Sequence, residues 1–385
     1  MQPVVIIGGG VVGLTLALAL GRADIPVIVI HREPMPDAAV LTAPWGLRVS
    51  AIHETALSAL ATLGLTTFAK QGVIDQLHIR EDDDPDVLWF RAAEVGAPYL
   101  GLILENLSLQ RQLYEAVLGC SSVQCMEAHP VTLTATESGG LLLLSTGEEI
   151  ACAVIAGADG AHSWVREQAH FTLQERPYGH FAMVAPIHIE KPHRETAYQI
   201  FRPEGPVALL PLSEPHHTSL VWSRALEGGI ADSSAEFLQA LQAAFGDVLG
   251  ALKVAGQPEA IALHERHADA YVKPGIVLLG DAAHTIHPLA GQGMNLGIMD
   301  ALCLASVWKR AFQRQVSLGH ISVLKRYERE RRFSNTLMLK SMAVFHHVFG
   351  SPSPVWGGVR GLAMEMVAQC SPLRQAFTAA GMGRW

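Results

Sequence analysis

Residues 3–7, Pro-Val-Val-Ile-Ile, form a short β-branched run that stops at Gly8-Gly9-Gly10-Val11-Val12-Gly13 and gives way to the helix-like Leu14-Thr15-Leu16-Ala17-Leu18-Ala19-Leu20. A second apolar run, Val27 to Ile30, follows after a turn. Strand, glycine turn, helix and strand in that order begin a parallel sheet, and therefore an α/β fold. In Gly8-x-Gly10-x-x-Gly13 the first glycine permits the tight turn, the second lets backbone approach a pyrophosphate, and the third lets helix pack on strand. The helix opened at Val11 then turns its first amides toward phosphate. A doubly wound fold of this kind usually ends its second strand on an acid that accepts the adenosine ribose hydroxyls. Here the strand ends at His31, followed by Arg32 and Glu33. Either Glu33 reaches the ribose from further out, or a neutral His31 does, or His31 is a buried structural residue.

The chain of 385 residues is 49% hydrophobic and 17% charged, which excludes a disordered polymer and leaves room for two domains or one α/β unit with an insertion. Lys and Arg number 28 against 36 Asp and Glu, a net charge of −8, so a nucleic-acid partner is not expected. Five cysteines (Cys120, Cys125, Cys152, Cys303 and Cys370) show no zinc-ligand spacing, and no metal is expected. They read as reduced thiols. No apolar run reaches the roughly 18 residues that span a bilayer. A cytoplasmic protein is expected, with peripheral contact at the inner face of the membrane as an extension of that reading.

Apolar residues recur at helical spacing from Ser50 to Leu65 and from Leu107 to Leu118, and a hairpin-like stretch with a Gly139-Gly140 turn covers Val131 to Ile155. From Pro177 to about Leu263 the texture changes to alternating strands, which reads as an inserted antiparallel sheet. Helical spacing returns after Gly293 and runs to Phe349, with a last helical segment at Val359 to Val367. The layout expected is a discontinuous dinucleotide domain (residues 1–75, 100–176 and 264–310), a substrate domain (76–99 and 177–263) and C-terminal helices (311–385).

Two further strand ends carry motifs. Val154-Ile155-Ala156-Gly157 leads into Ala158-Asp159-Gly160-Ala161-His162-Ser163-Trp164-Val165-Arg166, with Asp159 at the turn. Ile276-Val277-Leu278-Leu279 leads into Gly280-Asp281 and then His287-Pro288-Leu289-Ala290-Gly291-Gln292-Gly293-Met294-Asn295-Leu296-Gly297, with Asp300 beyond. A buried strand thus delivers Asp281 to the carboxyl end of the sheet, where open α/β folds bind ligands. An Asp-Gly turn followed by serine is also simply a good helix start.

With these three motifs in this order, the sequence closely resembles the flavin-dependent aromatic-ring hydroxylases of the p-hydroxybenzoate hydroxylase type, and within them the ubiquinone-biosynthesis hydroxylases. The resemblance covers nearly the whole chain, thinnest at residues 66–100 and 226–262. It implies FAD, with Asp281 at the ribitol and pyrophosphate and the backbone from Gly291 through Gln292, Gly293 and Met294 to Asn295 facing the pyrimidine side of the ring. Pro288 and Gly280 shape that loop. Arg48 matches a family arginine near the flavin, and Gln110 and Val131 match cofactor-contacting positions. Gly46 stands where many relatives carry an acid, and His31 where they carry glutamate.

The resemblance also implies the reaction: a visiting reductant such as NAD(P)H, then O2, then a flavin C4a-hydroperoxide that hydroxylates a phenolic, polyprenylated ring. No second dinucleotide turn follows a strand, so the reductant has no domain of its own. The flavin carries the chemistry, and His287 is the least poor candidate for a general base. The substrate is expected between the inserted sheet and the flavin, against Phe201 to Trp222. A flavoprotein reductase or dehydrogenase without oxygen activation, and an FAD-fold scaffold in a biosynthetic complex, stay open as alternatives. The basic run Lys325 to Arg332 suits either anionic lipid, a ubiquinone-biosynthesis complex or homo-oligomer, or a solvated helix face.

Overall fold

The computed structural model describes residues 2–81, 87–202, 204–225, 234–285, 292–350, 366 and 370–384. Six strands make the sheet that carries the glycine turn, in the spatial order Val272–Lys273, Ile276–Leu278, Val154–Gly157, Val4–Ile7, Val27–His31, Val123–Glu127. Neighbours run parallel except for the outermost pair, Val272–Lys273 with Ile276–Leu278. All four residues of Val4–Ile7 are buried, which is why an interior parallel strand reads as an unbroken apolar run and not as an alternation. Helix α1 (Val11–Gly21) is apolar on every side because it is enclosed on every side, by this sheet and by helices contributed from later in the chain.

The remaining α-helices among the described residues are α2 (Glu54–Thr62), α3 (Asn106–Leu118), α4 (Trp164–Gln168), α5 (Ser234–Leu249), α6 (Gln292–Gln313), α7 (Ile321–Gly350) and α8 (Ser371–Gly381). Helices α3 and α6 flank α1, and α7 packs on α6. A larger, mostly antiparallel sheet of nine strands is built around the long strand Leu173–Ile189, which pairs with His217–Ala225 on one side and Glu259–Ala268 on the other. Strands Gln76–Glu81 and Val87–Arg91 extend this sheet at its far edge, where Thr196–Phe201 pairs with Gln76–Glu81 in parallel. Helix α5 covers one face, and Trp222, Phe237 and Phe245 form a second core there. A small sheet of Val49–His53, Gly101–Glu105 and Gln71–Ile74 joins the two halves, since Ile103 and Ile74 pack with Ala197 and Leu212 of the larger sheet.

Several sequence expectations are corrected here. The helical spacing read from Ser50 begins in a strand, Val49–His53, and the helix starts only at Glu54, because Ser50 to His53 pair with the strand Gly101–Glu105. The hairpin ends at Cys152: Glu149–Cys152 pairs with Gly139–Leu144, whereas Val154–Gly157 belongs to the parallel sheet. Gly139 and Gly140 open the return strand and the reversal falls just before them. The region 177–263 contains α5 as well as strands, and its first strand begins before Pro177. The helical stretch after Gly293 is two helices separated by residues 314–320. The segment Val359 to Val367 lies outside the described residues apart from Met366, and the described C-terminal helix is α8, which the spacing did not suggest.

Candidate functional site

Adjacent strands bring the three motifs together. Ala158 N–H donates to Ile7 O (2.8 Å) and Leu279 N–H to Gly157 O (3.0 Å), so the turns after Val4–Ile7, Val154–Gly157 and Ile276–Leu278 stand side by side at the carboxyl edge of one sheet. Gly8 adopts φ +122°, and a Cβ there would stand 2.2 Å from Ala158 O. Gly13 lets α1 close down on the turn, where a Cβ would stand 2.0 Å from Gly8 O. Gly10 is different. It begins α1 without a capping side chain, and a Cβ on it would meet nothing within 4 Å. The first amides of α1, Val11 among them, therefore look into open space with their hydrogen bonds unspent. Gln110 of α3 braces the turn from behind, its Nε2 donating to Gly9 O at 2.7 Å.

At the end of the second strand His31 is buried and its Nδ1 lies 2.9 Å from Glu33 O. A carbonyl can only accept, so Nδ1 carries the proton and Nε2 is left as a lone-pair acceptor. That is the hydrogen-bonding character of a ribose-binding carboxylate without its charge. Arg32 and Glu33 are exposed. Val131 is exposed on the hairpin sheet, and the residue of that segment that meets the second strand is Ala128, whose N–H donates to His31 O at 3.0 Å. No side-chain chemistry marked Ala128 in the sequence.

Asp159 is held by its own helix start: Ser163 Oγ donates to its Oδ1 at 2.5 Å and Val165 N–H to its Oδ2 at 3.1 Å, while Ser163 also caps Arg166 N–H. Burial raises the Asp159 carboxyl pKa, against the pull of these bonds and of Arg32. The helix-start reading of this motif is seen directly, and the aspartate also stands at the strand edge. Arg166 ties this turn to the next, donating to Ala161 O (2.9 Å) and Ala282 O (3.0 Å) beside Asp281.

Asp281 is open to solvent, yet crowding by protein atoms raises its carboxyl pKa, opposed by His284 and Arg266. Beneath it, Asp300 is fully buried and accepts from Gly280 N–H (3.1 Å), Arg331 Nε (2.7 Å) and Asn335 Nδ2 (3.2 Å), with His284 Nε2 at 2.6 Å. Burial alone would raise the Asp300 pKa, but His284 and Arg331 outweigh it and hold the carboxylate ionised. Asp300 ended the sequence motif without a role, and it proves to be the anchor that sets the height of the Gly280-Asp281 turn.

His287, Pro288 and Gly291 lie outside the described residues. Gln292, Gly293, Met294 and Asn295 form the first turn of α6. The Asn295 side chain is fully buried and stitches α6 to the strand Val49–His53: Nδ2 donates to Ala51 O (2.8 Å), and Oδ1 accepts from His53 N–H (3.1 Å). Arg48 precedes that strand, exposed, with Glu259 at 3.8 Å as a loose ion pair. Gly46 has a local reason. Its N–H donates to Glu105 Oε1 at 2.5 Å, and a Cβ there would stand 2.6 Å from the same oxygen. Lys70 balances Glu105 in a buried pair (2.6 Å).

The other face of Val49–His53 lines a cavity of about 350 Å³ between the small sheet and the nine-stranded sheet. Pro206, Val207, Ala208 and Val221 form one wall, within the stretch expected from sequence. Leu77 and Phe90 contribute from the earlier strands, and Gln292 marks the end toward α6. Helix α8 closes a further side with Phe377 and Thr378. Ion pairs of Arg374 with Glu94 and of Arg384 with Glu54, and hydrogen bonds from Thr55 N–H and Oγ1 to Met382 O, hold it in place. No polarity pattern in residues 371–381 signalled this duty. Among the described residues no His, Cys, Asp and Glu cluster is arranged for a metal.

The strand edge fits an adenine dinucleotide: room at Gly10 for a pyrophosphate against unspent amides, an acceptor at His31 for a ribose, and Asp281 exposed at the third strand end. Residues 1–341 match the protein family described as FAD binding domain. The chain is 34% identical over 395 residues to 3-demethoxyubiquinol 3-hydroxylase of Escherichia coli (strain K12), covering 97% of this chain and 96% of that protein. It is also 34% identical to ubiquinone hydroxylase UbiL of Rhodospirillum rubrum, over 99% of this chain and 89% of that one. Its fold is like that of p-nitrophenol 4-monooxygenase PnpA from Pseudomonas putida DLL-E4, with a TM-score of 0.82, 18% identity, and 99% and 98% of the two chains covered. The glycine turn, the aspartate at the third strand end and these matches agree: the chain belongs to the FAD-binding-domain family, among the FAD-dependent hydroxylases of ubiquinone biosynthesis.

Proposed function

We propose that this protein hydroxylates a phenolic, polyprenylated ring on the pathway to ubiquinone, drawing electrons from NAD(P)H or another visiting donor and oxygen from O2. The observation that carries the reading is that one strand, Val49–His53, lines a mostly apolar cavity and is also hydrogen-bonded to the first turn of α6, the helix that packs against the Gly280-Asp281 turn. The strand is pinned to the start of α6 by Asn295, and its alternate side chains line the cavity. FAD, when bound, supplies the electron storage and oxygen activation that no side chain here can supply. The residues' work is binding and exclusion. Gly8, Gly10, Val11 and Gly13 hold the pyrophosphate, His31 accepts from the ribose with Arg32 and Glu33 at the rim, and Gln110 braces the turn. Asp159, Gly280 and Asp281 fix the ribitol side, while Gln292 to Asn295 present the positive end of α6 to the pyrimidine. The cavity, apolar and closed by α8, holds a ring and keeps water from it.

A lipid-borne substrate needs a protein that reaches lipid, and α7 offers the surface. Arg326, Arg329, Phe333, Leu337 and Lys340 recur at three- and four-residue spacing on one exposed face, with Phe333 74% exposed, while Tyr327, Arg331 and Asn335 are buried on the other. A basic face with protruding apolar side chains suits an anionic bilayer surface. No helix among the described residues is long and apolar enough to cross a membrane.

The deciding assay supplies the FAD-loaded protein with reductant, isotopically labelled O2 and a prenylated phenol. One labelled oxygen atom is expected in the ring of the product. Reductant consumed with no label in the ring would leave a reductase or dehydrogenase as the reading.

A further inference from the structure

The cavity is mostly apolar, so whatever polar group it presents in a fixed direction decides how a ring lies in it. Its polar lining residues are His53, Gln199, Ser223, Gln292 and Thr378, and among the hydrogen bonds of the described residues His53 is the one whose side chain is held in place with a donor to spare. Val49, Ala51 and His53 alternate along one face of their strand and line the cavity, to which Ile52, buried in the main core, also contributes. The His53 backbone is fixed by its N–H bond to Asn295 Oδ1, and its ring by the cap it provides to α2: Ala56 N–H donates to Nδ1 at 3.1 Å. Gly383 covers one face of the imidazole, where a Cβ would stand 2.7 to 3.0 Å from Cε1, Nε2 and Nδ1.

The capping bond also fixes the tautomer. A backbone N–H can only donate, so Nδ1 is the acceptor and the neutral ring carries its proton on Nε2. Protonating Nδ1 would set two donors against each other, and burial lowers the His53 pKa, which keeps the ring neutral. Nε2 has no hydrogen-bond partner among the described residues, nor is it one of the side-chain atoms sealed from solvent. The arrangement is a donor held in place before any ligand arrives, which is how a site gains specificity at low entropic cost. Thr378, by comparison, spends its hydroxyl on Arg374 O at 2.9 Å.

We propose that His53 Nε2–H is the hydrogen-bond donor that orients the ring in this cavity, by donating to an oxygen substituent of a phenolic ligand. The proposal rests on the reading of the cavity as a phenol site. It makes His53 a specificity residue, whose backbone is held by α6 and whose ring is held between α2 and the end of the chain.

The test measures binding of 3-pentylphenol and pentylbenzene to the FAD-loaded protein by calorimetry, in the wild type and in two variants. His53→Ser keeps a helix-capping oxygen but cannot reach into the cavity. His53→Phe keeps the ring volume but has no donor. The wild type is expected to prefer the phenol by roughly five- to tenfold, the range of one neutral hydrogen bond. Both variants are expected to bring that ratio within about twofold, with pentylbenzene affinity in His53→Phe unchanged. A variant that keeps the full preference overturns the proposal, as does an equal loss for both ligands, which is the mark of a purely structural residue. A wild type without preference overturns it too, while the labelled-oxygen assay separately decides whether the protein is a hydroxylase.

Discussion

At the scale of single residues, the departures from the family pattern have local physical causes. His31 replaces a carboxylate with an imidazole whose tautomer is set by Glu33 O, 2.9 Å away, so that Nε2 accepts. His31→Leu removes the acceptor and is expected to raise the FAD dissociation constant roughly tenfold, about one neutral hydrogen bond. His31→Glu is expected to bind FAD at least as tightly as the wild type, since charged acceptors make stronger bonds. Flavin fluorescence titrations read both. Unchanged affinity in His31→Leu would mean that Glu33 or backbone carries the ribose. Gly46 is the converse case: Glu105 Oε1 lies 2.6 Å from where a Cβ would stand, so a side chain there would have to displace that carboxylate from its bond to Gly46 N–H and its pair with Lys70.

At the scale of elements, buried polar residues do the aligning. Asp300 joins α6 to α7 through Arg331 and Asn335 and reaches up to Gly280 N–H, so a ligand-bearing turn is positioned by a helix pair packed beneath it. Such an ion pair is worth more as alignment than as net stability, because its desolvation cost offsets much of its attraction. The outward face of α7 gives a prediction of its own. Phe333→Ser combined with Leu337→Ser is expected to lower co-sedimentation with phosphatidylglycerol vesicles several-fold and to leave the unfolding temperature nearly unchanged, since both side chains are exposed. Equal sedimentation of variant and wild type would assign the face to solvent or to a protein partner. The Arg374–Glu94 pair that holds α8 is partly exposed, so it contributes at most about 1 kcal/mol, and the Arg384–Glu54 pair lies in solvent.

At the scale of the whole molecule, titration of buried groups sets how stability follows pH. Burial lowers the pKa of His53, His78, His193 and His267, the last to about 4. Each binds its proton more readily unfolded, at the ordinary value of 6.5, than folded. Their contribution is therefore complete above pH 6.5 and is lost as pH falls through the folded values, for His267 down to about 4. Asp159 and Asp281, whose pKa values are raised, oppose this in the acid range because their protonation favours the folded state. With four imidazoles against two carboxyls, the thermal midpoint of the flavin-free protein is expected to fall steadily from pH 6.5 to pH 4.5. A flat profile across that window would show that these rings reach solvent more freely than their surroundings suggest.

The sequence by itself determined the parallel sheet and the three turns at its carboxyl edge, because those features are local: glycines where backbone must approach closely, an aspartate directly after a buried strand, a helix opening on bare amides. It also determined that residues 177–263 are mainly sheet, through their alternation. Only the tertiary structure decided the rest, and the reason is distance along the chain. Ser50 to His53 look helical until Gly101–Glu105 pairs with them. Gly46 looks like a lost acid until Glu105 is seen beside it. The wall made by α8 and the donor at His53 both arise where residues 49–56, 292–295 and 371–384 meet, hundreds of positions apart, and no periodicity within any one segment encodes that meeting.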